Sequence, residues 1–137
     1  MKAQRSRQGG PKPLPHFRAR KPPRYSRHPV PGYAVRGRLW VERDGEIYLG
    51  SGRIALLELV EEHRSISAAA RAMSMSYRHA WLLVEAMNRL ARVPLVEKKV
   101  GGTGGGTARL TEEGRQTVAL FKELQRSFFA FIGAQVI

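Results

Sequence analysis

The rhythm of apolar and polar positions changes along the chain, and the changes divide it. Residues 1–36, MKAQRSRQGGPKPLPHFRARKPPRYSRHPVPGYAVR, hold few large apolar side chains and show no period. From Gly37 the pattern tightens. In GRLWVERDGEIYLG (37–50) two apolar runs flank Asp44-Gly45, a dipeptide suited to a tight turn, and the stretch is predicted to be a β-hairpin. A two-residue loop sets Trp40 opposite Leu49 and Glu42 opposite Ile47. A three-residue loop, Arg43-Asp44-Gly45 with Gly45 left-handed, sets Val41 opposite Ile47 and Leu39 opposite Leu49. The second arrangement collects the apolar side chains on one face and is the expected one.

Helical spacing follows. In SGRIALLELVEEHR (51–64), Ile54, Leu57 and Val60 recur with Leu56 beside them, Glu58, Glu61 and Glu62 are mostly exposed, and Ser51 is placed to cap. In SISAAARAMSMSYRHAWLLVEAMNRLARVP (65–94), Ser65 or Ser67 opens a short helix that ends near Met73. Ser74-Met75 is a tight connection, and Ser76 caps a longer helix to about Arg92, before Pro94 forbids continuation. The result is a helix-turn-helix, whose alanines let two steeply crossing helices approach closely. Read alone, the segment also fits an ordinary helical hairpin with a basic end. Ala80, Val84, Met87 and Ala91 form the inward face of the second helix. Leu95–Val100 and Ala108–Leu110 suit short strands joined by Gly101–Gly106. Thr111 suits the cap of a last helix, with Glu112 and Glu113 in its first turn complementing the helix dipole.

Charge is distributed unevenly. The net charge is +13 over 137 residues. Residues 1–37 hold ten Lys or Arg and no acid, whereas the other 100 hold 14 basic and 11 acidic residues, or +3. The proline-rich leading segment cannot bury enough surface to offset an ordering entropy of about 1–2 kcal/mol per residue. Residues 1–36 are therefore expected to be a disordered basic arm that touches nucleic acid, with a solubilising tail or a start codon placed too far upstream as the plainer readings. The chain has no cysteine, which excludes disulfides and thiolate zinc sites, and its four histidines lack ligand spacing, so neither metal nor cofactor is expected. No apolar run approaches the roughly 20 residues of a membrane span, and no secretory signal is apparent. A cytoplasmic, nucleoid-associated protein is the expectation.

The stretch VEKKVGGTGGGTARLT (96–111) admits three readings. As a phosphate cradle it fails: no lysine follows the glycines as a P-loop requires. Counted from Gly102, the dinucleotide fingerprint meets Gly104 but then Thr107 in place of its last glycine. As an inter-domain linker it fails because only one helix follows. A hairpin directly after a helix-turn-helix is the wing of a winged helix, where glycine lets backbone approach the sugar-phosphate chain. Acids and histidines show no pairing suited to acid–base work, and no nucleophile motif appears, so an enzyme is not expected. The fold class expected is α+β, mainly α: a winged helix-turn-helix over residues 37–137 with an N-terminal β-hairpin, a glycine-tipped wing and a long C-terminal helix.

Site residues follow from that geometry. Ser76, Tyr77, Arg78, His79 and Leu82 lie on the groove side of the second helix and are expected to contact bases, Arg78 most plausibly a guanine. Ser65, Ser67, Lys98, Lys99, Gly102, Thr103, Gly104, Gly105, Thr107 and Arg109 are expected on the DNA backbone. Trp81 reads first as a core anchor beneath the groove, and second as a DNA contact. Val118, Phe121, Leu124, Phe128 and Phe131 recur at spacings of three, three, four and three, widened by Leu120, Phe129, Ile132 and Val136. That stripe is expected to form a homodimer interface unless the N-terminal hairpin covers it.

Residues 37–135 resemble the N-terminal DNA-binding domain of the molybdate-responsive transcriptional regulators, the ModE family, a branch close to LysR-type winged helices. The resemblance rests on SISAAARAMSMSYRHAWLLVEAMNRL, on PLVEKKVGGTGGGTARLT and on the glycine of LTEEG. Ser76, Tyr77, Ala80 and Trp81, the pair Met87-Asn88 and the glycine-rich wing are its distinctive parts. It implies a bacterial-type regulator that binds operator DNA as a dimer, with a link to molybdenum metabolism. Full ModE regulators also carry β-barrel domains that bind molybdate. With the sequence closing at Ile137, no such site is expected within it, and the basic arm lies outside the family pattern. The function expected is a sequence-specific DNA-binding transcriptional regulator, reading the major groove with helix 76–92 and the backbone with wing 96–110. A non-specific nucleoid or RNA-associated protein is the alternative.

Overall fold

A computed structural model describes residues 32–99 and 106–135. Most of the expected arm (residues 1–31), the wing-tip residues Gly102, Thr103, Gly104 and Gly105, and Val136 lie outside the described residues. The elements are β1 (Trp40–Arg43), β2 (Glu46–Gly50), α1 (Ser51–His63), α2 (Ile66–Ala72), α3 (Tyr77–Leu90), β3 (Val96–Lys99), β4 (Thr107–Leu110) and α4 (Glu112–Gly133). Both sheets are antiparallel pairs, β1 with β2 and β3 with β4.

The first hairpin corrects the expected register. Asp44 and Gly45 both take positive φ, 52° and 78°, and form a two-residue loop whose twist matches that of the strands. Arg43 faces Glu46 and Glu42 faces Ile47, as the rejected two-residue register requires. The ladder then slips, and Val41 faces Leu49 with Tyr48 as the extra residue of a bulge. The bulge restores an inward apolar side: Leu49 is buried and Val41 packs against the core. Arg43 donates to the carbonyl of Leu90, and Arg89 Nη1 binds Glu46 Oε2 at 3.0 Å, so the hairpin is fastened to the end of α3. The hydrogen-bonded Arg89 guanidinium holds the Glu46 carboxyl below its ordinary range.

Ser51 is not the cap of α1. Gly50 occupies that position without a side-chain bond, and the Ser51 hydroxyl instead accepts from Gln125 Nε2 at 2.8 Å, tying α1 to α4. Helix α1 is central. It buries Ile54, Leu56, Leu57 and Val60 against Val84 and Met87 of α3, Leu95, Val96, Leu110 and Phe121. Complete burial of each such side chain stabilises by about 1.5–3 kcal/mol. Helix α1 ends at Arg64, left-handed at φ 54°, whose N–H donates to Val60. The Arg64 carbonyl accepts from Ala108 N at 3.0 Å, and Glu61 Oε2 from Leu110 N at 2.7 Å. Glu61, expected as part of a solvated face, therefore docks β4.

The last helix begins as expected, with the Thr111 hydroxyl accepting from Gly114 N at 3.0 Å and donating to Pro94 O at 2.7 Å. Gly114 is a close-approach residue: a Cβ there would stand 2.1 Å from Leu95 O. The expected dimer stripe is split. Phe121 is 1% exposed in the chain's own core, and Val118 packs against it, so neither is offered to a second copy. Leu120, Leu124 and Phe131 are exposed, while Phe128 is half-buried beside Gly37 of the segment leading into β1. At 3.6 residues per turn Leu124 and Phe131 stand roughly 60° and 80° around the helix from Phe121, so the face that buries Phe121 leaves them at its edge.

Candidate nucleic-acid interface

Two short capped helices build the site. The Ser65 hydroxyl accepts from Ala68 N at 3.1 Å and opens α2; the Ser76 hydroxyl accepts from His79 N at 3.1 Å and opens α3. Between them Ser74 is left-handed at φ 53°, and Met75 N returns to Ala70 O at 3.0 Å. Ala69, Ala70 and Ala80 are buried where the helices cross, as expected from their size. The arrangement is a helix-turn-helix, and β3–β4 directly behind it makes it winged.

The inward face of α3 consists of Ala80, Val84, Met87 and Leu90, with Ala91 just past the helix end and only partly buried. The opposite face begins with Tyr77, 56% exposed, and Arg78, also exposed, and continues through Leu82 and Trp81 at 48% and 38%. His79 is half-buried, and the Ser76 hydroxyl is already committed to the cap. Trp81 departs from its first reading. It is no core anchor: it lies at the surface on the Arg78 side of α3, with Lys98 Nζ 4.8 Å above its ring centroid.

Lys98, expected on the DNA backbone, also makes contacts within the chain. Its ammonium pairs with Glu85 while stacking on Trp81, and partial burial holds its pKa below the ordinary lysine value. These two contacts join the wing to α3 through Lys98. Lys99 and Thr107 are exposed. Arg109 is exposed but linked to Glu97 across the ladder at 3.3 Å. Ser67 is exposed in the first turn of α2, whereas Ser65 is half-buried as its cap.

Asn88 carries a role the sequence did not reveal. Its Nδ2 donates to Val96 O at 3.0 Å, and its Oδ1 accepts from Leu95 N at 2.9 Å and Val96 N at 3.0 Å. The amide thereby acts as a short strand beside β3 and sets the wing against α3. The signals were the Met87-Asn88 pair of the family resemblance and a carboxamide ahead of the apolar Leu95-Val96 pair, and neither named a partner. Among the described residues no cluster of His, Asp or Glu could hold a metal ion, and no helix is long and apolar enough to cross a membrane.

Residues 52–115 match the helix-turn-helix of the lysR family of bacterial regulatory proteins. The chain is 40% identical over 95 residues to the molybdenum-pterin-binding protein MopA of Rhodobacter capsulatus, covering 69% of this chain and 36% of that protein. It is 37% identical over 76 residues to the DNA-binding transcriptional dual regulator ModE of Escherichia coli strain K12, covering 56% of this chain and 29% of that one. The chain thus spans about a third of the length of the curated relatives it matches. A solution structure of a homodimeric winged helix-turn-helix domain from Mycobacterium bovis, a possible ArsR-family transcriptional regulator, overlays at TM-score 0.46 and 24% identity, covering 56% of this chain and 69% of that one. Residues 52–115 are thus similar to the helix-turn-helix of lysR-family regulators and to part of the ModE and MopA proteins.

Proposed function

We propose that this chain is a sequence-specific DNA-binding transcriptional regulator of the bacterial nucleoid, acting as a homodimer and tied to molybdenum metabolism. The observation that carries the reading is the exposed start of α3, where Tyr77 and Arg78 stand clear of the core with Leu82 and Trp81 one turn on. A helix presented in this way enters a major groove with its first turn against base edges. Arg78 supplies the fork that matches guanine O6 and N7, and Ser76, Tyr77 and His79 meet a phosphate or a neighbouring base. Ser67, Lys99, Thr107 and Arg109 hold the backbone, joined by Gly102, Thr103, Gly104 and Gly105 at the wing tip. The names of the ModE and MopA relatives support the molybdenum link.

Dimerisation through α4 has a narrower basis than the stripe first expected. Leu120 and Phe131 are 72% and 67% exposed and Leu124 44%, all on one side of the helix. A two-fold pair would present two copies of α3, and the operator would be an inverted repeat with half-sites a whole number of helical turns apart. Selection of bound duplex from a random pool tests the reading. A recovered inverted repeat, with preference at one base pair per half-site flattened by Arg78→Ala, is the expected result. A good bidentate contact carries about 1–3 kcal/mol of discrimination. Recovery without any shared sequence would make the chain a non-specific basic binder.

A further inference from the structure

Arg64 stands where three elements meet. It closes α1, its carbonyl holds Ala108 of β4, and it precedes Ser65, the cap of α2. Beside it lies an open cleft of roughly 310 Å³ lined by Arg64, Glu97, Lys99, Thr107, Ala108 and Arg109. Three cations and a hydroxyl thus converge across the joint between the α1–α2 turn and the wing. Two carboxylates border them, Glu97 on Arg109 at 3.3 Å and Glu61 on Arg64 at 3.4 Å. The sum over these five groups is +1, which matches a singly charged oxyanion. A guanidinium carries five N–H donors in a fixed fork, and one carboxylate leaves donors on each arginine for a ligand.

We propose that this cleft seats a tetrahedral oxyanion, and that its occupant is one phosphodiester of the DNA backbone, held by Arg64 together with Lys99, Thr107 and Arg109. The inference rests on the DNA-binding reading and adds Arg64 to it. The cleft is open, and Lys99, Thr107 and Arg109 of the wing, all assigned to the backbone, line it beside Arg64, as a passing strand needs. The Ala108 N–H bond to Arg64 fixes the spacing between its two walls, so the seat is formed before DNA arrives.

The test titrates the full chain against its selected duplex over a salt series. Arg64→Asn removes the charge with a residue that tolerates the left-handed backbone. It should lower the slope of log K against log salt by about 0.9 per protomer, with base preference and melting temperature unchanged. Arg64→Lys should recover the slope. Should Arg64→Asn lose its melting transition, Arg64→Gly, unstrained at this φ, repeats the measurement. Wild-type chain that fails to bind any duplex removes the DNA-binding reading itself. Wild-type chain that binds, beside Arg64→Asn with an undiminished slope, overturns the seat alone. Saturable binding of inorganic phosphate at Arg64 and Thr107 without DNA, with the Arg64→Asn slope undiminished, assigns the cleft to a free oxyanion and also overturns the proposal.

Discussion

Replacing Asn88 by alanine should loosen the wing more than any other single truncation of an incompletely buried polar side chain. The amide makes three hydrogen bonds of 2.9–3.0 Å to Leu95 and Val96, residues that are 0% and 3% exposed. At about 0.5–1.5 kcal/mol net for each bond, the loss sums to roughly 1.5–4.5 kcal/mol. Because Asn88 is itself only half-buried, water reaches part of the vacated space, and the expected loss lies near the middle, about 3 kcal/mol. For a domain of about 100 residues, that lowers the melting temperature by roughly 12–24 °C. Asn88→Asp keeps an acceptor for both N–H groups but sets a carboxylate against Val96 O, so it should fall between wild type and alanine. Urea unfolding with an unchanged m-value, followed by amide exchange at residues 95–99 and 107–110, separates a wing effect from a global one. A loss below about 0.5 kcal/mol, or wing amides as protected as in wild type, would refute the reasoning.

Other outcomes follow from the same geometry. Gly114→Ala, a substitution that usually stabilises a helix interior by about 0.5–1 kcal/mol, should here destabilise by about 1–3 kcal/mol, since the new Cβ meets the Leu95 carbonyl; a raised melting temperature would contradict the packing. Leu124→Glu with Phe131→Glu should leave the fold intact and yield monomers that bind an inverted repeat weakly; sedimentation showing a wild-type monomer at micromolar concentration would remove the dimer. Deleting residues 1–31, which contain nine Lys or Arg and no acid, should lower affinity for selected and random duplex alike; an unchanged salt slope would show that this charge does not meet DNA. The Glu46 carboxyl is held below its ordinary value of 4.5, so its contribution is present above that value and lost as pH falls through the lower folded one. The gap in melting temperature between wild type and Glu46→Gln should therefore close in acid, and a constant gap would exclude the ion pair as its source.

What was legible in the sequence was whatever depends on neighbours along the chain. Ser65, Ser76 and Thr111 lie at helix starts, and a hydroxyl there reaches the N–H three residues on without help from the rest of the molecule. The inward face of α3 and the close-packed alanines of the helix crossing follow from the 3.6-residue period and from side-chain size. The order of these pieces determined the winged helix-turn-helix. What the sequence left open depends on partners that folding brings from far along the chain. The β1–β2 register turned on a bulge that puts Leu49 into a core built mostly by later residues. The periodic stripe of α4 does not say which of its apolar residues the chain itself covers; α1 and the rest of the core take Phe121 and leave Leu124 and Phe131 outside. Lys98 reads as a wing cation until Glu85 and Trp81, on another element, claim it, and Asn88 reads as an ordinary polar position until β3 lies beside it. A charge or an amide has no fixed role of its own. The group that folding places within about 3 Å decides whether it meets solvent, DNA or another part of the same chain.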